Sequence, residues 1–417
     1  MSLDLIANQK FDVIIVGAGP AGASTAISLQ NSGLSVALLD KAVFPRDKVC
    51  GDALSVDVVN QLKILSPLLA EEFESLDKKV SSYGVTIFSP DGKHVDIPFY
   101  YHGQKASGYI SQRLDFDNLL VRHLNHFPNV KVFQNCEVLS IATKPDVVRV
   151  ETNNGSFTSS VIVGSDGAHS IVAKSLQGAT VDKEHYSAGL RVYYEGITSF
   201  HAENFIELHF IKEILPGYLW IFPLPNNKAN VGIGVLSSVV SKRKLNLREL
   251  LVHILSTDAR FKERFRSANP LETIKGFGLP LGSKQRKLSG HRYLLTGDAA
   301  SLIDPFSGEG IANAIRSGRV AASHIMNAFE RQDFSSAFNL EYDREVYKRM
   351  WKELKLSHGL QHLCRYPFLF NFVVKKANSS PVARQFLIDS LANVEKKKLL
   401  LRPGFYWRML FGCVGKE

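Results

Sequence analysis

Hydrophobic positions fall into two textures along the chain. Phe11 to Val16 (FDVIIV) is a short β-branched run ending at glycine, the pattern of a strand buried on both faces. Pro20 to Gln30 carries alanine and leucine at helical spacing, Gly33 closes it, and Ser35 to Leu39 reads as a second buried strand. Strand, helix and strand in that order predict a parallel βαβ unit. A helix is predicted over Leu114 to His126, with strands near Val130 to Phe133 and Val147 to Thr152, a turn at Asn153, Asn154 and Gly155, and a further strand at Val161 to Val163. From about Ala188 to Val235 the strands alternate and become rich in aromatics, which predicts an inserted antiparallel sheet. The first texture returns at Tyr293 to Leu295, followed by a loop from Gly297 and a helix through Ala322; after Phe334 the chain turns helical, basic and aromatic. The class is α/β.

Composition narrows the picture. The 417 residues leave room for about two to three domains, at roughly 150 residues each. With 45% hydrophobic and 22% charged residues the chain is ordinary globular protein, which excludes disordered, collagen-like and coiled-coil classes. Cys50, Cys136, Cys364 and Cys413 lie far apart with no CxxC pair, so no zinc ribbon, other metal site or disulfide scaffold is read, and a reducing cytoplasm suits them. No signal peptide is read in MSLDLIANQK. The longest apolar candidate, Ile214 to Pro225, is broken by Pro216, Gly217 and Pro223, so a spanning helix is not expected. Fifty basic against 40 acidic residues give +10. That charge fits nucleic acid, an anionic membrane or a phosphorylated ligand, with a merely solvated basic surface as the equal alternative.

Chemistry enters at Gly17, Gly19 and Gly22, a GxGxxG between the first strand and the helix opened by Pro20 and Ala21. Such a loop lets backbone approach a pyrophosphate at a helix N-terminus. Asp40, followed by Lys41, ends the second strand about 20 residues on, where a carboxylate accepts from a ribose 2′-OH. The same carboxylate would repel a 2′-phosphate, so the site is read as FAD or NAD, not NADP. Gly297-Asp298 and the stretch Asp304 to Ile311 (DPFSGEGI) decide between them. A carboxylate there would bind ribityl hydroxyls, and N–H groups at Gly310 and Ile311 would face the electron-rich edge of a flavin. NAD has no ribityl chain. The plainer alternative, Asp298 as a helix cap with Gly308 and Gly310 as turn residues, accounts for one helix start and not for the whole set.

With these residues in view the sequence resembles the flavoprotein superfamily that contains para-hydroxybenzoate hydroxylase and, within it, the geranylgeranyl reductase family. Phe44 to Asp52 (FPRDKVCGD), Gly164 to Ser170 (GSDGAHS), and Tyr218, Trp220, Phe222 and Pro223 followed by Gly232 and Gly234 carry the likeness, over about residues 11 to 320. It implies a Rossmann-type FAD-binding domain built from residues 1–80, 111–180 and 286–330, a substrate domain from 81–110 and 181–285, and a helical region from 331–417. It also implies cofactor contacts at Arg46, Cys50, Gly51, Arg113, Val138, Asp166, Gly167 and Pro305. As a plainer reading Arg113 is a surface residue at a helix start, and Val138 packs in its sheet.

Tyr218, Trp220 and Phe222 share one face of a strand and would line a pocket for an apolar substrate, although an aromatic stripe is more often core. Cys50 lies in a basic stretch with Arg46 and Lys48, and positive neighbours favour a thiolate. Its expected parts are positioning of substrate or flavin, proton donation, or an inert buried thiol. The activity implied is hydride delivery from FAD to a carbon–carbon double bond of an isoprenoid or other apolar chain, with a transient NAD(P)H or a protein as electron donor. A flavin-dependent hydroxylase or halogenase is the competing class, and a non-enzymatic flavoprotein a third. No nucleic acid partner is expected. Glu395 to Arg408 carries a net +4 with Phe405, Tyr406 and Trp407, and is read as a peripheral contact with the inner face of the membrane. A solvated helix end is the alternative.

Overall fold

The computed structural model describes residues 8–101, 103–392, 398–402 and 404. A six-stranded sheet runs in the order Val130–Phe133, Val36–Leu39, Val13–Val16, Val161–Gly164, Tyr293–Leu295, Ser289–Gly290. All neighbours are parallel except the last pair. Its central strands are buried throughout, as expected for β-branched runs covered on both faces, and Val148, Val150 and Phe157 of a separate small sheet join the same core. The helix Pro20–Ser28 packs against a second helix, Ile311–Arg331. A Cβ on Gly318 would stand 2.5 Å from the Ala21 carbonyl oxygen, so glycine there sets how closely the two approach. This second helix runs nine residues beyond the expected end at Ala322. Ile325 and Ala328 continue its buried stripe, and Gln332 stops it in the left-handed region at φ 53.

A larger sheet holds Tyr186–Glu195, Lys228–Leu236, Tyr218–Leu224, Ile206–His209, Gly84–Phe88 and His94–Pro98, with Asn269–Pro270 and Lys275–Pro280 on the far side of Tyr186–Glu195. It is not purely antiparallel, because Ile206–His209 runs parallel to Gly84–Phe88. Those strands belong to separate passes of the chain, so no hairpin dictates their relative direction. Gly108–Ser111 leaves this sheet and pairs with Ala53–Leu54 and Lys79–Ser82.

Strand alternation splits Tyr218–Leu224 between two cores. Leu219 and Ile221 pack with the helix Leu247–Thr257, whereas Trp220, Phe222 and Leu224 meet Ile110 on the other face. A further core joins Ile87, Ile97 and Phe210 of the large sheet to Leu360, Val374, Ala383 and Leu387. These come from the helices Ser336–Leu363, Pro367–Ser379 and Pro381–Ala392, which therefore wall one end of the sheet. Among the described residues no helix is long and apolar enough to cross a membrane. Within Glu395 to Arg408, positions 395–397, 403 and 405–408 lie outside the described residues. In the described part Leu400 is buried and Leu401 rests on Gly359, so these leucines face protein.

Candidate active site

A cleft of about 1200 Å³ opens between the two large sheets and receives both glycine loops. Gly17 adopts φ +97, a Cβ on it would meet the Ser165 carbonyl oxygen at 2.4 Å, and a Cβ on Gly22 would meet the Gly17 carbonyl oxygen at 1.8 Å. Asp40 holds this loop, its carboxylate accepting from the Ala18 N–H at 2.7 Å and the Ala42 N–H at 2.8 Å. Gly19 is the N-cap of the helix Pro20–Ser28, Gly310 that of Ile311–Arg331, and neither helix has a side-chain cap. Gly19, Pro20, Ala21, Gly310 and Ile311 all line the cleft. Two uncapped helix N-termini facing one space fit a ligand that carries negative charge at two places, as FAD does at its diphosphate and at the flavin edge. Lys41 stands exposed at the rim, and Val138 opens its strand at the end of the cleft next to Asp40.

Asp298 lies in the turn Gly297–Ala300, where Gly297 takes φ 57 against Ala21. Its carboxylate accepts from Lys48 Nζ at 3.1 Å and lies 3.4 Å from where a Gly310 Cβ would be. It therefore sits beneath the helix N-terminus without capping it. Gly308, at φ 71, passes over the Tyr218 hydroxyl, and the Pro305 carbonyl accepts from Gln361 Nε2 at 2.7 Å. Asp166 lines the cleft beside Gly167. Its carboxylate accepts from Ser170 Oγ and the Ile171 N–H at 2.6 Å each and from the Val172 N–H at 3.2 Å, so it serves the start of the helix Ile171–Gln177. Its neighbours Ser165 and Gly167, the latter at φ 79, line the cleft with it.

Arg113 is no surface residue. It is 2% exposed, and its guanidinium forms a paired contact with Asp117 at 2.6 and 2.7 Å. Burial works against the charge of Asp117, yet Arg113, with Arg46 and Lys48 behind it, holds that carboxyl below its ordinary value. The same guanidinium lies near the half-buried Cys50 thiol. The positive partner of Cys50 is thus supplied by a distant helix. Arg46 and Lys48, its neighbours in sequence, are engaged by Asp117 at 2.7 Å and Asp298 at 3.1 Å. Arg46 also lies over the glycine loop, 3.7 Å from where a Gly19 Cβ would stand.

The Cys50-Gly51 turn meets the aromatic stripe directly, for a Cβ on Gly51 would be 2.8 Å from the Phe222 ring. Tyr218, Trp220 and Phe222 all line the cleft. Asn230 ties turn and stripe together: it accepts from Trp220 Nε1 at 2.8 Å and donates to the Cys50 carbonyl at 2.7 Å and to Asp52 at 2.8 Å.

Asp52, Asn230 and Tyr193 were not among the residues singled out in the sequence. Asp52 is fully buried at φ 67, and its carboxylate accepts from the Tyr193 hydroxyl at 2.6 Å. Burial pushes it up to about 6, against the opposing pull of Tyr193, Asn230, Arg191 and Arg113. Glu309 is the other missed acid. It accepts from Ser55 Oγ inside the cleft, and burial, with the negative charges of Asp57, Asp304 and Glu353 adding, raises it to about 7. Asp52 ends FPRDKVCGD and Glu309 sits within SGEG, so each had a local signal, while Tyr193 and Asn230 had none. Outside the cleft, Glu72 accepts from His123 Nδ1 at 2.8 Å and His126 Nε2 at 3.2 Å, a trio with metal-ligand spacing that joins two helices.

Comparison with known proteins places this geometry. Residues 10–355 match the family described as FAD binding domain. The menaquinone reductase of Mycolicibacterium smegmatis is 30% identical over 341 residues, 79% of this chain and 80% of the relative. The digeranylgeranylglycerophospholipid reductase of Methanosarcina mazei is 28% identical over 363 residues, 83% and 81% of the two chains. Among solved structures, a geranylgeranyl bacteriochlorophyll reductase-like protein from Thermoplasma acidophilum superposes with a TM-score of 0.78 at 20% identity, covering 97% of this chain and 99% of its own. Halogenase PltM, solved with phloroglucinol and FAD, gives 0.71 at 18%, covering 97% and 90%, and so shares the fold. On the matched family, these relatives and the paired helix N-termini of the cleft, the chain belongs to the FAD-binding-domain family, and it is an FAD-dependent oxidoreductase.

Proposed function

We propose that the protein reduces a carbon–carbon double bond in an isoprenoid or similarly apolar chain. The observation that carries this reading is the wall of the cleft beyond the nucleotide loops. Tyr218, Trp220 and Phe222 face the Cys50-Gly51 turn, and Ile87, Ile97, Leu208, Phe306 and Ile388 continue the apolar lining. An apolar chain leaving water gains about 25 cal/mol for each Å² buried there. The stripe offers few polar groups of its own, since Trp220 Nε1 donates to Asn230 and the Tyr218 hydroxyl to the Ser307 carbonyl. The relatives' names, a menaquinone and a digeranylgeranyl phospholipid reductase, support a substrate of the same apolar class.

FAD, when bound, supplies the hydride that one alkene carbon accepts. The other carbon needs a proton, and we assign it to the Cys50 thiol. Asn230, holding the Cys50 carbonyl at 2.7 Å, fixes the position of that residue against the aromatic stripe. Among the described residues there is one parallel βαβ sheet with a glycine loop, so the reductant, a nicotinamide or a protein, visits and does not reside.

The test is anaerobic. Chemically reduced protein given a polyprenyl alkene is expected to reoxidise and to yield product heavier by two hydrogens per bond reduced. Reaction only in air, with gain of an oxygen or a halogen atom, would replace this reading by the hydroxylase or halogenase one.

A further inference from the structure

From Leu354 to Ile388 the chain carries Lys355, Arg365, Lys375, Lys376 and Arg384 and not one aspartate or glutamate. The same stretch holds three of the most exposed large apolar side chains. Phe368 is 72% exposed, more than any other large apolar residue described, and Tyr366 and Val382 are each 55% exposed. Other exposed apolar residues, such as Val43, Ile64 and Leu271, are scattered through the sequence. The helices Pro367–Ser379 and Pro381–Ala392 are therefore two-sided. Inward, Val374, Ala377, Ala383, Leu387 and Ile388 pack against the large sheet, and Ile388 reaches the apolar end of the cleft. Outward, Phe368, Lys375, Val382 and Arg384 are exposed.

We propose that this outer face docks on an anionic lipid bilayer and brings the apolar end of the cleft to the membrane. The occupant follows from the two chemistries together. Exposed aromatic side chains partition into the headgroup boundary, and each lysine or arginine near an anionic surface adds attraction that falls off within a Debye length. A second copy of the chain would set the same cations against one another, which disfavours a dimer through this face. Asp91, on a neighbouring loop, donates its N–H to Asn371 Oδ1, and its carboxylate is already engaged by Ser89 Oγ at 2.7 Å and Lys93 Nζ at 3.3 Å. Neither helix spans a bilayer, so the protein lies on the surface. The contact itself is independent of the substrate; its use as an entry route rests on the apolar-substrate reading above.

Flotation of the FAD-loaded full chain with phosphatidylglycerol-containing vesicles is the test. Binding is expected to weaken as salt is added and to be much poorer on pure phosphatidylcholine. Lys375→Glu combined with Arg384→Glu should lower partitioning roughly tenfold or more. Phe368→Asp should lower it on its own, and both proteins should keep their flavin. Phe368→Trp provides a positive readout, a blue shift of emission on adding vesicles. Absence of flotation, flotation unchanged by both sets of substitutions, or flotation lost only when residues 395–417 are removed would each overturn the assignment. Turnover of a detergent-dispersed prenyl alkene, measured alongside, reads the reaction without the membrane, so a failure of either idea shows by itself.

Discussion

Asp298 and Asp40 are both carboxylates in the cleft, but they hold different things. The Asp298 carboxylate is bonded to Lys48 alone among the described groups, whereas that of Asp40 satisfies two backbone N–H groups, Ala18 in the glycine loop and Ala42 beside it in sequence. Asp298→Ala is therefore expected to lower the flavin-to-protein ratio, read from absorbance after denaturation, with little loss of stability. Asp40→Ala should lose about 1–3 kcal/mol of stability as well, because it orphans buried donors. Full flavin content in Asp298→Ala protein would remove the second loop from the cofactor site. Cys50→Ala should keep FAD and slow turnover; unchanged turnover would reduce Cys50 to packing. Asp52 gives a pH signature. Its native value near 6 lies above the unfolded value of about 3.9, so the native state binds the proton more tightly. Its contribution is complete below about pH 4 and is lost as pH rises through about 6, a change of about 3 kcal/mol. The denaturant midpoint of Asp52→Asn, compared with that of the parent, should shift in the variant's favour over that window. A flat difference would mean that Tyr193 and Asn230 outweigh burial.

At the scale of elements, close approach decides where glycine is required. Gly318→Ala would set a methyl 2.5 Å from the Ala21 carbonyl oxygen and push apart the helices whose N-termini frame the cleft. Backbone cannot yield as a flexible side chain does, so a cost of about 1–3 kcal/mol and a fall in flavin affinity are expected together. Thermal melting and flavin titration would check both, and an unchanged protein would mean that the helices tolerate more separation than their packing implies. The βαβ opening was legible because apolar runs, Gly33 and Pro20 are local signals. The mixed direction of the large sheet was not, since Ile206–His209 finds Gly84–Phe88 through a pairing that no spacing within either strand encodes. The helix end at Arg331 was missed because Ala322 closes an obvious alanine run, while the buried stripe continues through Ile325 and Ala328.

For the molecule as a whole, the cleft is a meeting place of chain segments far apart in sequence, so a ligand that bridges them acts on the entire fold. Removing FAD is expected to lower the melting temperature, and restoring it at about 100 times its dissociation constant should return about 2.7 kcal/mol. Equal melting with and without FAD would show that the cleft is not where it binds. By itself the sequence determined the nucleotide loop, the acid at Asp40, the DPFSGEGI loop and the aromatic stripe, because each is a short-range pattern whose spacing and residue types carry its chemistry. Tertiary structure alone decided which charges meet. It put Arg113 beside Cys50, joined Lys48 to Asp298 across 250 positions, gave Asp166 to its own helix, and buried Asp52 between Tyr193 and Asn230. The physical reason is that a buried charge takes whatever partner packing brings within about 3 Å, and that choice is made by how sheets and helices stack, not by the neighbours a residue has along the chain.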